Sequence, residues 1–346
     1  MTAESTLRVK LLFNTGDCRR IMPGDGVVDG VSFSLDRHER EYDWLAVYSD
    51  FVGHTRFMPA SERLGCHPDN TLLMTHEPPS VKRYNSGYAG QFNWVLSCHD
   101  SSCLMHPRLF PSHPASPWFY PGRYGELLDA PPPEKVSALS TVCSDKSMSH
   151  TLHKDRVAFT RRLAREIPEM AVYGKIGEPL GDKREAIAPY RMHLAIENHV
   201  GRNHWTEKLA DAFLGCCLPL YCGCSNVFDF FPEESLIPVD VFRFGESCER
   251  IRKAMRDDEY AKRFPAVREA RRRVLAEHNL FVVIAKFVRE RHSPKRRPAS
   301  ARRIWNHSAT VRINPVEGVS HVVQKSIQQW RHFAEMRRKR KSSDLY

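Results

Sequence analysis

Four short apolar runs recur through the first third of the chain: Leu7–Asn14 (LRVKLLFN), Tyr42–Tyr48 (YDWLAVY), Thr71–Thr75 (TLLMT) and Phe92–Cys98 (FNWVLSC). Each has the length and the β-branched or aromatic content of a buried strand, and helical or irregular stretches separate them. That alternation restricts the chain to an open, mainly parallel sheet built from βαβ units. The first run is expected to end in a polar turn at Thr15-Gly16-Asp17. Residues 106–121 are dense in Pro, Ser and His, and Pro131-Pro132-Pro133 follows. Proline at that density continues neither helix nor central strand, so a domain edge is expected near 122–135.

The rhythm then resumes. Lys135–Cys143, Met170–Tyr173, Met192–Ile196 and Leu218–Cys222 read as strands. His153–Ile167, Thr206–Cys216, Ser247–Met255 and about 257–277 read as helices, with Thr206 placed as an N-cap. A chain of 346 residues can bury two cores. The expectation is a first α/β domain over 1–130, a second over 131–295 and a basic C-terminal extension over 296–346.

Composition narrows the class further. The chain is 41% hydrophobic and 27% charged, as globular proteins are. No apolar run reaches the roughly 18 residues of a membrane span, and Met1–Lys10 lacks the charged-then-apolar pattern of an export signal. The expected location is the cytoplasm. The ten cysteines are scattered, and Cys216, Cys217, Cys222 and Cys224 crowd into one apolar segment. They read as buried thiols, not as the paired C-x-x-C ligands of zinc. The net charge of +11 is concentrated at Arg289–Arg303 and Arg337–Lys341. Such a surface attracts phosphate of any kind. The basic residues are not interleaved with aromatics as stacking platforms require, which argues against nucleic acid. Arg331–Lys341 sets Phe333 and Met336 among positive charges, the pattern of a helix lying on an anionic membrane.

The chemistry is concentrated between 189 and 245. Tyr190-Arg-Met-His-Leu-Ala-Ile-Glu197-Asn198-His199 is a strand ending in a carboxylate and an amide, and His204-Trp-Thr206-Glu207-Lys208 opens a helix after a polar loop. A helix start favours phosphate, and a first-turn lysine adds a full positive charge for a diphosphate leaving group. Leu218-Pro-Leu-Tyr221, Gly223 and Phe228-Asp-Phe-Phe-Pro232 follow in order. His150 and His153 flank another helix start and read as exposed or capping residues, while Trp94 and Trp205 read as core or cleft wall.

This string resembles the donor-binding motif of glycosyltransferase family 10, the α-1,3-fucosyltransferases: a strand ending in Phe-Glu-Asn, a Tyr-x-Thr-Glu-Lys helix start, a Val-Pro strand, a Gly turn and an acidic-aromatic-Pro segment. Ile196 stands for the usual Phe and His204 for the usual Tyr. Thr141–Asp145 is similar to the strand that opens the donor domain, with Asp145 in place of Asn. Val172-Tyr-Gly-Lys175 is similar to the Val-x-Gly-Arg element, with Lys175 in place of Arg. Upstream, Thr75-His76-Glu77-Pro78-Pro79 and Phe92-Asn-Trp-Val-Leu-Ser resemble the family's Glu-Ser-Pro segment and the strand after it.

The resemblance implies two Rossmann-like domains facing a cleft (the GT-B type), acceptor side first and donor side second. It implies an inverting transfer of fucose from GDP-fucose to an oligosaccharide or lipid-linked glycan, with Glu77 as general base. Glu197 and Glu207 would meet the sugar, Asn198 its hydroxyls, and Lys175 and Lys208 the diphosphate. Thr206 and His204 would complete the donor site. No Asp-x-Asp ends a strand, so no cofactor or metal is expected. The family's basic tails imply peripheral contact with a membrane. The alternatives are the same fold with another nucleotide sugar, or a basic, non-catalytic glycan- or nucleic-acid-binding protein.

Overall fold

A computed structural model describes residues 6–14, 18–52, 60–296 and 302–345. The turn expected at Thr15-Gly16-Asp17, and part of the basic run 289–303, lie outside the described residues. The chain divides into two compact units, Met1–Ser116 with Asn279–Gln328, and Pro117–His278 with Gln329–Tyr346.

In the first unit β1 (Leu7–Phe13), β2 (Val27–Val28), β3 (Val31–Ser34), β4 (Trp44–Tyr48), β5 (Ser61–Arg63), β6 (Thr71–Met74), the short helix α1 (Ser86–Ala89), β7 (Trp94–Ser97) and β8 (Leu109–Pro111) follow in order. All except β5 join one sheet, ordered β2-β3-β1-β4-β6-β7-β8 and parallel apart from the β2–β3 pair. The four runs read from the sequence are β1, β4, β6 and β7. The proline-rich stretch adds β8 at the sheet edge, where Pro111 costs no ladder bond from a neighbour further out. Leu45, Val47, Leu73 and Val95 make the core with Tyr84, Tyr88 and Phe92.

The second unit contains α2 (Tyr124–Asp129), β9 (Ser137–Val142), α3 (His153–Glu166), β10 (Met170–Tyr173), α4 (Lys183–Ile187), β11 (Tyr190–Gly201), α5 (Glu207–Leu214), β12 (Leu218–Cys224), β13 (Ile237–Pro238), α6 (Phe244–Arg256) and α7 (Glu259–Ala276). Its sheet is wholly parallel, in the order β10-β9-β11-β12-β13. The chain runs from β9 to β10 on one side, then crosses to β11 and onward on the other. The order therefore reverses between β9 and β11.

The expected domain limits shift at three places. Residues 117–130 belong to the second unit, because buried Asp211 on α5 accepts the N–H groups of Phe119 and Tyr120 at 2.7 and 2.8 Å. Residues 279–295 belong to the first, where α8 (Leu280–Arg291) packs Phe281 edge-on against Phe33 and Asn279 donates to the Ile21 carbonyl at 2.7 Å. The expected extension is not separate. β14 (Arg303–Trp305) pairs antiparallel with β5, and Asn306 caps α9 (His307–Ile313) in the first unit. The final helix, α10 (Pro315–Lys341), belongs to the second unit from Gln329 onward. Met336 is buried and Arg340 is ion-paired there, so the membrane-facing pair expected of Phe333 and Met336 is reduced to Phe333. Among the described residues no helix is long and apolar enough to cross a membrane.

Candidate active site

In open α/β sheets ligands bind outside the carboxyl ends of the strands, where the strand order reverses. In the second unit that point lies between β9 and β11, and the loop after β9, the end of β11 and the starts of α3 and α5 surround it. The β11–β12 register shifts between Ile196 and Gly201, which releases Glu197 and Asn198 from regular pairing.

Glu197 is the anchor of the site. It is 0% exposed, and its two oxygens accept the Thr206 N–H at 2.8 Å and the Thr206 hydroxyl at 2.7 Å. Thr206 is the N-cap of α5, and its hydroxyl in turn accepts the Lys208 N–H at 3.4 Å and the Lys208 ammonium at 3.2 Å. Lys208 Nζ also lies 2.7 Å from Glu207 and 3.6 Å from Glu197. Burial raises the pKa of Glu197, and Lys208 only partly offsets this. For Lys208 burial opposes the charge, but the carboxylates of Glu207 and Glu197 outweigh it and the net shift is upward. The ammonium is therefore a fixed cation. Gly223 is required beside Glu197, since a Cβ there would collide with the Glu197 side chain and the Tyr221 hydroxyl.

Opposite Lys208 stands Arg156, from the first turns of α3. It is buried, and donates to Asn198 Oδ1 at 2.9 Å and to Ser144 Oγ at 2.8 Å, so it ties the end of β11 to the loop after β9. Its Nε is buried with no hydrogen-bond partner among the described residues. Arg156, Lys208, Lys146, Asn198 and Glu207 line a cavity of about 250 Å³. His153 lines it too. It is buried and bonded to Thr151 at 2.6 Å, neither exposed nor a cap, and burial with the charges of Arg156, Lys146 and Lys208 pushes its pKa down to about 4. A neutral histidine surrounded by cations marks an anion-binding environment. A larger cavity, about 690 Å³, lies beyond β12 and β13 and is walled partly by Lys339, Ser342 and Asp344. The charged groups converge on the smaller one, at the switch point.

The expected residues divide accordingly. Asn198, Glu207 and Lys208 line the cavity; Thr206 and Glu197 lie beneath it as supports. Glu197 is fully buried with Thr206 on both its oxygens, so it supports the site from beneath and does not line the cavity. Two of the first N–H groups of α5, those of Thr206 and Lys208, are also taken, so the helix start contributes mainly the lysine charge. His204 is buried outside the cavity lining, with its ring edge-on to His199 at 5.7 Å. Lys175 is exposed on the turn after β10, on the carboxyl edge of the same sheet. Gly174 makes that turn at φ +94°, against the Cys143 carbonyl. Glu77 lies in the first unit, three residues beyond β6. Arg156 and Ser144 were not singled out from sequence. The one signal for Arg156 was its place in the first turns of a helix following a donor-like strand.

The clustered cysteines are buried. Burial pushes Cys217 and Cys224 up to about 11 and Cys222 to about 12, and Cys217 lies within hydrogen-bonding range of the Ile187 and Tyr190 carbonyls, 3.1 Å from each. These are the properties of packed thiols.

A doubly wound α/β unit with one buried and one half-buried cation facing a cavity at its switch point has the architecture of a nucleotide-binding domain. Residues 133–289 match the model of glycosyltransferase family 10 (fucosyltransferase), C-terminal part. It is similar to 4-galactosyl-N-acetylglucosaminide 3-alpha-L-fucosyltransferase 9 of Rattus norvegicus, 29% identical over 176 residues, which are 49% of this chain and 45% of the rat protein. It is also similar to the human 4-galactosyl-N-acetylglucosaminide 3-alpha-L-fucosyltransferase FUT5, 27% identical over 52% of this chain and 46% of that protein. The match thus spans less than half the length of these curated relatives. A crystal structure of an alpha1,3-fucosyltransferase with GDP-fucose aligns at 16% identity and a TM-score of 0.47, covering 81% of this chain and 94% of that one.

Proposed function

We propose that the protein is an inverting glycosyltransferase that moves fucose from GDP-fucose to a glycan hydroxyl. The observation that carries this reading is the convergence of Arg156 and Lys208 on one cavity at the switch point, inside the family segment. The diphosphate rests against these two cations, with Lys175 adding charge at the same sheet edge. Glu207 and Asn198 face the sugar. In the first unit Glu77 takes the proton of the acceptor hydroxyl while that oxygen bonds the anomeric carbon and the bond from that carbon to GDP breaks. The curated relatives are named for transfer to a galactosyl-N-acetylglucosaminide, which supports a glycan acceptor.

Lys208→Ala is expected to weaken GDP binding by about 1.5–3 kcal/mol, the range of a charge-assisted contact. Calorimetry giving the same GDP affinity for variant and wild type would remove Lys208 from the site and the reading with it.

Leaving-group charge is met in this scheme by an ammonium and a guanidinium, the task a divalent cation performs elsewhere. Turnover is accordingly expected to persist in excess EDTA. Activity lost on chelation and restored by Mn²⁺ refutes metal independence while leaving the donor assignment intact. A thermal-shift panel of nucleotide sugars distinguishes GDP-fucose from its rivals by the size of the stabilisation.

A further inference from the structure

Asp155 is 0% exposed, and a carboxylate cannot be left in such a place without a partner. Its partner comes from the far end of the chain. Arg340, in the last turn of α10, grips it with two bonds, Nε to Oδ1 at 2.7 Å and Nη2 to Oδ2 at 2.8 Å. The same guanidinium donates to the Ser149 carbonyl at 3.0 Å and to that of Thr151 at 3.5 Å. One side chain thus fastens residues 149–155, the approach to α3 and its first turn. Four residues past Arg340, the Asp344 carboxylate accepts the N–H groups of Phe244 and Gly245 at 2.5 and 2.8 Å, which secures the end of the chain on α6.

The next residue after Asp155 is Arg156. Successive helical side chains project about 100° apart, so one side of this turn meets α10 while the other reaches Asn198 and Ser144. Main-chain bonds lock the segment to the site as well: Leu152 N–H donates to the Asn198 carbonyl at 3.0 Å, and Arg156 N–H to that of Leu152 at 2.8 Å. We propose that Arg340 is a positioning residue for Arg156, acting through Asp155, so that the C-terminal turn of α10 is a working part of the donor site. The proposal rests on the assignment of Arg156 and Lys208 to the diphosphate. Removing 331–346 takes Arg340 and Asp344 away, so transfer to a soluble acceptor should not survive the deletion.

The test uses the full chain with R340M, R340K, D155N and, as the control for the donor assignment, K208A. GDP affinity is read by calorimetry, and KM for donor and acceptor is read separately. R340M and D155N are expected to raise donor KM and the GDP Kd by about 10–100-fold with acceptor KM unmoved, since a misaligned contact is lost for the donor alone. R340K keeps the charge without the fork, and should recover only part of the affinity. If K208A loses GDP binding while R340M and D155N keep it, Arg340 is structural only and the proposal fails with the donor assignment intact. If K208A also keeps GDP binding, the donor assignment fails first. Should R340M not fold, R340K and D155N decide: donor KM raised alone supports the proposal, and donor and acceptor KM raised together overturn it.

Discussion

Glu77→Gln is expected to lower turnover by about 10²–10⁴-fold, the usual cost of losing a positioned general base, and to leave GDP binding unchanged. The carboxylate is suited to the role. It is 39% exposed at the carboxyl end of the first unit's sheet, while its backbone is held from several directions. His99 bonds the Glu77 carbonyl through Nε2 at 2.8 Å, the Tyr84 hydroxyl accepts the His76 N–H at 3.2 Å, and Thr75 N–H pairs with the Leu96 carbonyl at 2.9 Å. Burial pushes His99 down to about 4, so the ring is neutral at working pH and donates from that one nitrogen. An exposed acid on a fixed backbone can meet a hydroxyl without moving the chain. Retained turnover in the variant places the base elsewhere. Asp100, the next candidate along the sheet edge, is poorly suited, because Ser102 and Cys103 donate to its carboxylate and hold its pKa down. Loss of folding or of GDP binding would make Glu77 structural.

Glu197→Ala is expected to destabilise the second unit by about 3–5 kcal/mol, the cost of removing one partner from a buried charge network. Thr206 would lose the acceptor of both its N–H and its hydroxyl, and Lys208 one of its two carboxylates. GDP affinity should fall as well, since the N-cap that sets Lys208 is no longer anchored. Glu197→Gln keeps one acceptor oxygen but turns an amide toward a hydroxyl or an ammonium that it cannot serve, so an intermediate loss is expected. Thermal unfolding with and without GDP measures both effects. Unchanged stability with a raised donor KM would return Glu197 to the sugar and contradict its burial.

Much of the second unit was legible because its signals are local. The strand at 218–224, the helix over 153–166 and the Thr206 cap are set by periodicity, β-branching and a side chain bonding two residues ahead. Such terms act within one turn or one strand. The order of Glu197, Asn198, Glu207 and Lys208 along the chain carried the family resemblance, and the family segment 133–289 agrees with it. The elements missed were those whose stability comes from neighbours: the two-residue β2, the edge strand β8 among prolines, and β14, which exists by pairing with β5 across more than two hundred residues.

The sequence by itself determined that this protein is α/β, that its main strands run parallel in two sets, and which stretch resembles a donor-binding motif. Tertiary structure decided the rest. Arg156, Arg161, Arg162 and Arg165 all lie on α3, and no local rule separates them; Arg156 is chosen because its turn faces Asn198 and Ser144. Glu197 and Glu207 are both carboxylates beside one lysine, yet burial makes the first a support and leaves the second in the cavity. Arg340 reads as one charge in a basic run until Asp155, far earlier in the chain, is buried against it. Charge, hydrogen bonding and desolvation act through space between residues the chain order keeps apart. Their balance is set only when the helices pack.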